Sequence, residues 1–211
     1  MGVRDNLITG NSNNIVRWLK DGDGVKLHTG HIRDFRLVSE VVREYDAILY
    51  HAALVGVART VEDPLLTNEI NVNGTLNLLV AAPKWNIRRF VYASSSSVYG
   101  ETSKLPKKES MKTAPISPYG VSNLSGENYC KVFALVYGLM TISLRYFNVY
   151  GPRQTPGDYS GVIPRFINMS VKDIPLPIYG NGKQTRDFTY VGDVVQANLF
   201  AWKEITKLAR W

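Results

Sequence analysis

Short apolar runs alternate along this chain with segments long enough to be helices, and no other feature constrains the fold as much. Residues 25–28, 47–50, 89–93 and 141–146 read as strands. Residues 35–43 place Phe35, Val38, Val41 and Val42 at helical spacing, and residues 118–137 read as one long helix. Asp63-Pro64 supplies a capping side chain and a proline at the first helical position. The helix it opens carries Leu65, Leu66, Ile70, Leu76, Leu79 and Val80 and is expected to stop near Pro83. Strands joined through helices of this length are crossover units rather than hairpins. They predict an α/β fold, a parallel sheet with helices on both faces.

Beyond Tyr150 the pattern breaks up. Gly151-Pro152, Pro156-Gly157, Pro164, Pro175, Pro177 and the glycines at 180 and 182 cut the chain into short pieces, with helical stretches at 162–169 and 191–204. Residues 1–150 are therefore expected to form the sheet domain. Residues 151–211 are expected to form a smaller, loop-rich region laid on it, whose last helix can pack back on the sheet.

Charge and composition narrow the function classes. With 25 Lys and Arg against 18 Asp and Glu the chain carries +7, which suits nucleic acid, an acidic membrane or a phosphorylated small molecule. Lys104, Lys107, Lys108 and Lys112 cluster around Pro106 without interleaved aromatic residues, so they read as a solvated loop and not as a nucleic-acid surface. No apolar run approaches the roughly 18 residues of a membrane span, and the start has no signal-peptide pattern. The single cysteine, Cys130, excludes an internal disulfide and fits a reducing cytoplasm. His28, His31 and His51 lack metal-ligand spacing. Asp21-Gly22-Asp23-Gly24 begins like a calcium loop, but Val25 stands where an oxygen ligand is needed. No metal site is expected.

In an open parallel sheet ligands bind at the carboxyl ends of the strands. Four segments stand there or open the helix that comes next: His51-Ala52-Ala53-Leu54, the serine run from Ser94 to Gly100, the stretch from Phe147 to Arg153, and Pro118-Tyr119-Gly120-Val121-Ser122-Asn123. Together with Asp5-Asn6-Leu7 and Thr9-Gly10, Gly30 to Asp34, Asn71 to Thr75 and Thr185 to Phe188, these motifs occur in a fixed order over nearly the whole chain. In that order the sequence resembles the extended short-chain dehydrogenases/reductases that act on nucleotide sugars, and most of all the UDP-glucose and UDP-N-acetylglucosamine 4-epimerases.

The resemblance implies a Rossmann-like sheet, NAD as cofactor, a UDP-sugar as substrate and a homodimer. It implies that Asp5 hydrogen-bonds the adenosine ribose with Asn6 beside it, and that His31 and Ile32 flank the adenine. Ala52, Ala53 and Leu54 would line the dinucleotide, Asn71 would orient the loop beneath it, and Phe147 would border the nicotinamide. Ser95 and Tyr119 would be the catalytic pair, the tyrosine taking the proton of the sugar 4-hydroxyl. Ser95, Ser97, Asn148, Ile163, Tyr179 and Arg186 would contact the substrate, with Asn148 and Arg186 on the diphosphate.

The sequence departs from the family's pattern in places that matter. Asn123 stands where the family has the lysine four residues after the catalytic tyrosine. A unit charge ~5 Å away at an effective dielectric of ~20 is worth about 3 kcal/mol, roughly two pKa units on the tyrosine. Asparagine can keep a hydrogen bond to the ribose but supplies no such charge, which predicts a weaker base. His31 replaces an aspartate before Ile32. No G-x-x-G-x-x-G precedes Asp5, so the first βαβ unit and its phosphate cradle are expected to be missing, and the far end is expected to stop short of the full sugar-binding region. Ser96-Ser97 in place of an acidic pair argues against a dehydratase. Two functional readings remain: a 4-epimerase, and a UDP-sugar-binding protein with impaired catalysis.

Overall fold

In the computed structural model the described residues are 1–20, 24–154, 161–178 and 180–208, with side chains described as far as Lys203. The Asp21–Asp23 part of the calcium-loop comparison and Tyr179 lie outside them. β4 (Arg89–Ser95) organises the main sheet. β3 (Ala47–Tyr50) and β5 (Met140–Tyr146) flank it, both parallel, with Tyr50 opposite Tyr92 and Ser95 opposite Tyr146. β1 (Gly2–Asp5) pairs in parallel with β2 (Lys26–Thr29), and β6 (Asn148–Tyr150) with β7 (Phe188–Tyr190). Every described pairing is parallel, as the helix-length connections require.

The side-chain alternation of β4 decides which helices cover which face. Phe90 and Tyr92 turn into a core with Tyr50 of β3, Val38 and Val42 of α2 (Phe35–Val42), Leu78 and Leu79 of α5 (Gly74–Lys84), and Cys130 and Phe133 of α6 (Pro118–Tyr137). The opposite face of β3, β4 and β5 is contacted by α8 (Val191–Leu208). Short helices fill the connections: α1 (Val16–Lys20), α3 (Val57–Glu62), α4 (Pro64–Asn68) and α7 (Val162–Val171). Burial of Cys130 pushes its thiol up to about 12, so it stays protonated inside the core.

The helix starts obey the capping rules. Asp34 Oδ1 accepts from the Leu37 N–H at 3.1 Å, Asp63 Oδ1 from Leu66 at 2.9 Å, and Ser117 Oγ from Gly120 at 3.1 Å. The single helix expected from Asp63 to near Pro83 runs unbroken from Pro64 to Lys84, with a π-helical turn over Glu69–Asn73 between α4 and α5. The wide turn accommodates the buried Asn71, whose amide is bonded outside the helix. α5 ends at Lys84, one residue past Pro83, as the expected stop near Pro83 requires. A proline in the last turn costs little, because Trp85 and Ile87 close the end on the carbonyls of Ala81 and Ala82.

Two glycines fix close approaches. Gly126 of α6 lies directly on the Tyr92 ring, where a Cβ would overlap the phenol, so α6 can sit tight on β4. Gly100, at φ +63°, ends the serine run with the Ala114 carbonyl in the place a Cβ would take. Gly100→Ala is expected to lower stability by about 1–3 kcal/mol, read as a lower urea midpoint at unchanged slope.

Candidate active-site crevice

Near the carboxyl ends of β4 and β5 a carboxylate–guanidinium pair ties helix to sheet. Glu127 of α6 accepts a bidentate pair from Arg145 of β5, with Nε at 2.9 Å from Oε1 and Nη2 at 2.7 Å from Oε2. Ser94 of β4 donates its hydroxyl to the same carboxylate at 2.5 Å. The two charged side chains are only 19% and 11% exposed, so the pair works in a poorly solvated site, and Glu127 raises the pKa of Arg145 further. The guanidinium also lies 4.7 Å from the Tyr99 ring centroid, in cation–π geometry. α6, β4, β5 and the loop after β4 thus meet at one group. No local sequence signal marks this pair, because its partners are 18 residues apart on different elements.

Ser95 is the last residue of β4. Its Oγ accepts from the Ser97 N–H at 3.2 Å, which caps a short 3₁₀ turn over Ser96–Tyr99 and leaves the hydroxyl proton free to donate. Tyr119 stands in the first turn of α6. Its neighbour Gly120 packs so closely on the Ser97 carbonyl that a Cβ would come within 2.8 Å, which holds the opening of α6 against the serine turn. Ser97 Oγ is buried and has no partner among the described residues. Asn123 is buried and donates its amide to the Tyr119 carbonyl at 2.8 Å. That donation is an i to i−4 bond within α6, so this amide hydrogen serves the helix.

The residues expected at the dinucleotide fall into two groups. Asp5 ends β1, and its Oδ1 accepts from the Leu7 N–H at 2.7 Å. The exposed Asn6 makes the same kind of turn to Ile8 at 3.2 Å. His31 lines an open recess of about 830 Å³ beyond β2, together with Arg33, Asp34, Glu69 and Asn77. Desolvation first, then Arg33 and Arg4, lower the His31 pKa. Ile32 is buried at 7% exposure and packs under Gly74 as part of the core. The second group lies just past β3. Ala52 and Ala53 are exposed, and Leu54 is held through its backbone by Asn71, which accepts from the Leu54 N–H at 2.7 Å and donates to its carbonyl at 3.0 Å. Phe147 lies half-buried between β5 and β6.

The small β6–β7 sheet brings two sequence-distant motifs together. Asn148 donates its side-chain amide to the Asp187 carbonyl at 2.8 Å, next in the chain to Arg186. Arg186 is exposed, with Nη1 on the Thr185 carbonyl at 2.9 Å. Ile163 is half-buried in α7. Among the described residues no cluster of three His, Cys, Asp or Glu could hold a metal ion, and no helix is long and apolar enough to cross a membrane. Lys107 of the basic loop donates to the Thr102 carbonyl at 3.1 Å.

A wholly parallel α/β sheet, with serine at the end of its central strand and tyrosine in the first turn of the long helix beyond it, is the arrangement of the extended short-chain dehydrogenases/reductases. The NAD dependent epimerase/dehydratase family matches residues 4–209, and the chain belongs to that family. It is 42% identical over 205 residues to a protein of Methanocaldococcus jannaschii that bears UDP-glucose 4-epimerase as a provisional name, covering 95% of this chain and 65% of that one. It superposes on the UDP-glucose 4-epimerase of Thermotoga maritima solved with UDP-glucose, at TM-score 0.90 and 34% identity, covering 96% of this chain and 65% of that one. The Thermus thermophilus UDP-glucose 4-epimerase solved with NAD gives TM-score 0.86 at 36% identity, covering 95% and 65%. The chain thus spans about 65% of the length of these relatives.

The geometry sets two expectations. Glu127→Ala strands the Arg145 charge and is expected to cost about 3 kcal/mol in urea unfolding. The second concerns His51, which stacks on Tyr146 with Nε2 3.2 Å from its hydroxyl. Burial lowers the His51 pKa below 6.5, while bonds to the Leu49 backbone and Asn198 partly oppose the shift. The folded state therefore disfavours the protonated ring, and the stability it contributes is intact above pH 6.5 and lost as the pH falls toward the folded value. His51→Gln is expected to flatten the fall in melting temperature between about pH 7 and pH 5 relative to the unaltered chain.

Proposed function

We propose that this chain carries the chemistry of an NAD-dependent 4-epimerase acting on UDP-sugars. The observation that carries the reading is the packing of Gly120, next to Tyr119, on the carbonyl of Ser97, two residues after Ser95. The recess beyond β2 near Asp5, and the small exposed Ala52 and Ala53 after β3, fit the adenosine and the adjoining part of a dinucleotide. NAD, when bound, supplies a hydride acceptor that oxidises and re-reduces the sugar at C4. Tyr119 takes the proton from the 4-hydroxyl and returns it. Ser95, its Oγ already accepting from Ser97, donates its own proton to the sugar oxygen and holds it in place. Arg186 and Asn148 bind the diphosphate, Arg186 with a permanent charge that suits it. Residues 1–150 make the cofactor side and residues 151–211 the sugar side, with α8 packing back on the sheet.

Asn123 sets the rate in this reading. Its amide serves the Tyr119 carbonyl and carries no charge to stabilise a tyrosinate. Asn123→Lys is expected to raise turnover at least tenfold. The assay tracks conversion of UDP-glucose to UDP-galactose by proton NMR with added NAD. Tyr119→Phe is expected to abolish conversion while UDP-glucose still binds. Arg186→Met is expected to weaken UDP binding at least tenfold, as befits the loss of a charged hydrogen bond worth about 1.5–3 kcal/mol. If UDP-glucose binds but neither the unaltered chain nor Asn123→Lys converts it, the chain is a UDP-sugar-binding protein instead.

The same reading includes a homodimer in a reducing cytoplasm. Leu65 of α4 and Val132, Leu135 and Val136 of α6 stand exposed on helices that pack side by side, an apolar surface that a second copy would cover. Sedimentation is expected to give a dimer, and Leu135→Glu a monomer.

A further inference from the structure

Apart from glycine, Asn and Asp, two described residues hold left-handed backbone: Leu7 at φ +58° and Arg153 at φ +67°. In that region the Cβ of an L-residue crowds the neighbouring carbonyl, so each position is strained and persists only where its surroundings hold it. The two residues lie in loops far apart in sequence. Leu7 follows β1 and gives its N–H to Asp5. Arg153 follows β6, and its Nη1 donates to the Asn14 carbonyl at 3.2 Å, tying the second loop to the first across 139 positions.

The two loops are built differently. The loop after β6 is a hook fastened to its own sheet. Gln154 donates its N–H to the Gly151 carbonyl at 3.4 Å and its side-chain amide to the Val149 carbonyl at 3.2 Å. Gly151 lies so close to Val191 of α8 that a Cβ would overlap it. The hook therefore follows β6, which begins at Asn148. The loop after β1 is held by bonds between near neighbours. Asn6 accepts from Ile8, Asn11 Oδ1 accepts from the Asn13 N–H at 3.0 Å, and the Asn11 carbonyl accepts from Asn14 at 3.0 Å. Gly10 folds back on the Asp5 carboxylate, and residues 11–14 are exposed. Short-range bonds on exposed backbone open easily, so a tie to a fastened element decides how ordered such a loop is.

We infer that Arg153 is a positioning residue that couples the diphosphate side to the adenosine side. A diphosphate held by Asn148 and Arg186 fixes the hook, and the hook, through Arg153, orders residues 6–14 beside Asp5. Linkage makes the effect mutual: a dinucleotide seated at Asp5 tightens UDP binding by the factor by which UDP tightens the dinucleotide. This coupling rests on the placing of UDP and NAD proposed above and adds a connection that Asp5, Asn148 and Arg186 do not themselves make.

The test uses UDP and NAD with the 211-residue chain. Isothermal titration gives the UDP dissociation constant with and without saturating NAD, and amide hydrogen exchange follows residues 6–14 when UDP alone is added. NAD is expected to tighten UDP binding by about fivefold or more, and UDP alone is expected to slow exchange at residues 6–14. Arg153→Gly keeps a left-handed turn without strain, so it is expected to keep its melting temperature and to bind UDP alone within about twofold of the unaltered chain. Both coupling effects are expected to vanish in it. Coupling of equal size in folded Arg153→Gly overturns the inference, as does UDP binding that leaves exchange at residues 6–14 unchanged in the unaltered chain. Failure of UDP to bind at all removes the placing of the diphosphate and the inference with it. Protection of residues 6–14 by UDP that Arg153→Gly abolishes, in a chain that does not bind NAD, upholds the link through Arg153 and counts against the cofactor reading alone.

Discussion

The Glu127–Arg145 pair is the interaction on which the carboxyl end of the main sheet depends. It ties a helix to an edge of the central strand pair at the level where the strands end, and its carboxylate also holds Ser94. Because Ser94 and Ser95 alternate in direction along β4, anchoring Ser94 toward α6 leaves Ser95 pointing away from that anchor. The same guanidinium lies over Tyr99, so the serine turn is gripped at both of its ends. An ion pair this enclosed contributes less through net attraction than through what its absence would leave behind, a charge without solvent or partner. That asymmetry makes it a positioning device.

Around that anchor the remaining polar groups are used economically. Asn71 closes both backbone groups of Leu54, and Ser122 of α6 accepts from the same amide at 3.1 Å, so the loop after β3 is fixed to two helices by one side chain. Asn123, one turn from Tyr119, is turned to its own helix. A lysine there would reach outward with a charge, whereas the asparagine satisfies a carbonyl inside. In the proposed function, the chemistry of Tyr119 depends on one substitution whose structural consequence is local and whose electrostatic consequence is not.

Much of this is legible in the chain itself. The strand–helix alternation, the Asp63-Pro64 start and the order of motifs carry the α/β layout and the family, since each rests on local periodicity or on residues adjacent in sequence. Pro83 likewise marks the end of α5 to within one residue. The π-turn at Glu69–Asn73 has no sequence signal, because it answers to Leu54, fifteen or more residues earlier along the chain and adjacent only in three dimensions. The same holds for the meeting of Asn148 with the segment at Arg186 through the β6–β7 pair.

Sequence alone determined the parallel α/β class, the capped helices and the identity of the side chains gathered at the strand ends, because periodicity and capping act over a few residues. Only the tertiary structure decided that Glu127 and Arg145 form the anchor, that Asn123 bonds inward, and that β1–β2 stands apart from β3–β4–β5. Those outcomes depend on contacts between elements, and a hydrogen bond or ion pair between distant residues leaves no periodic trace in the chain.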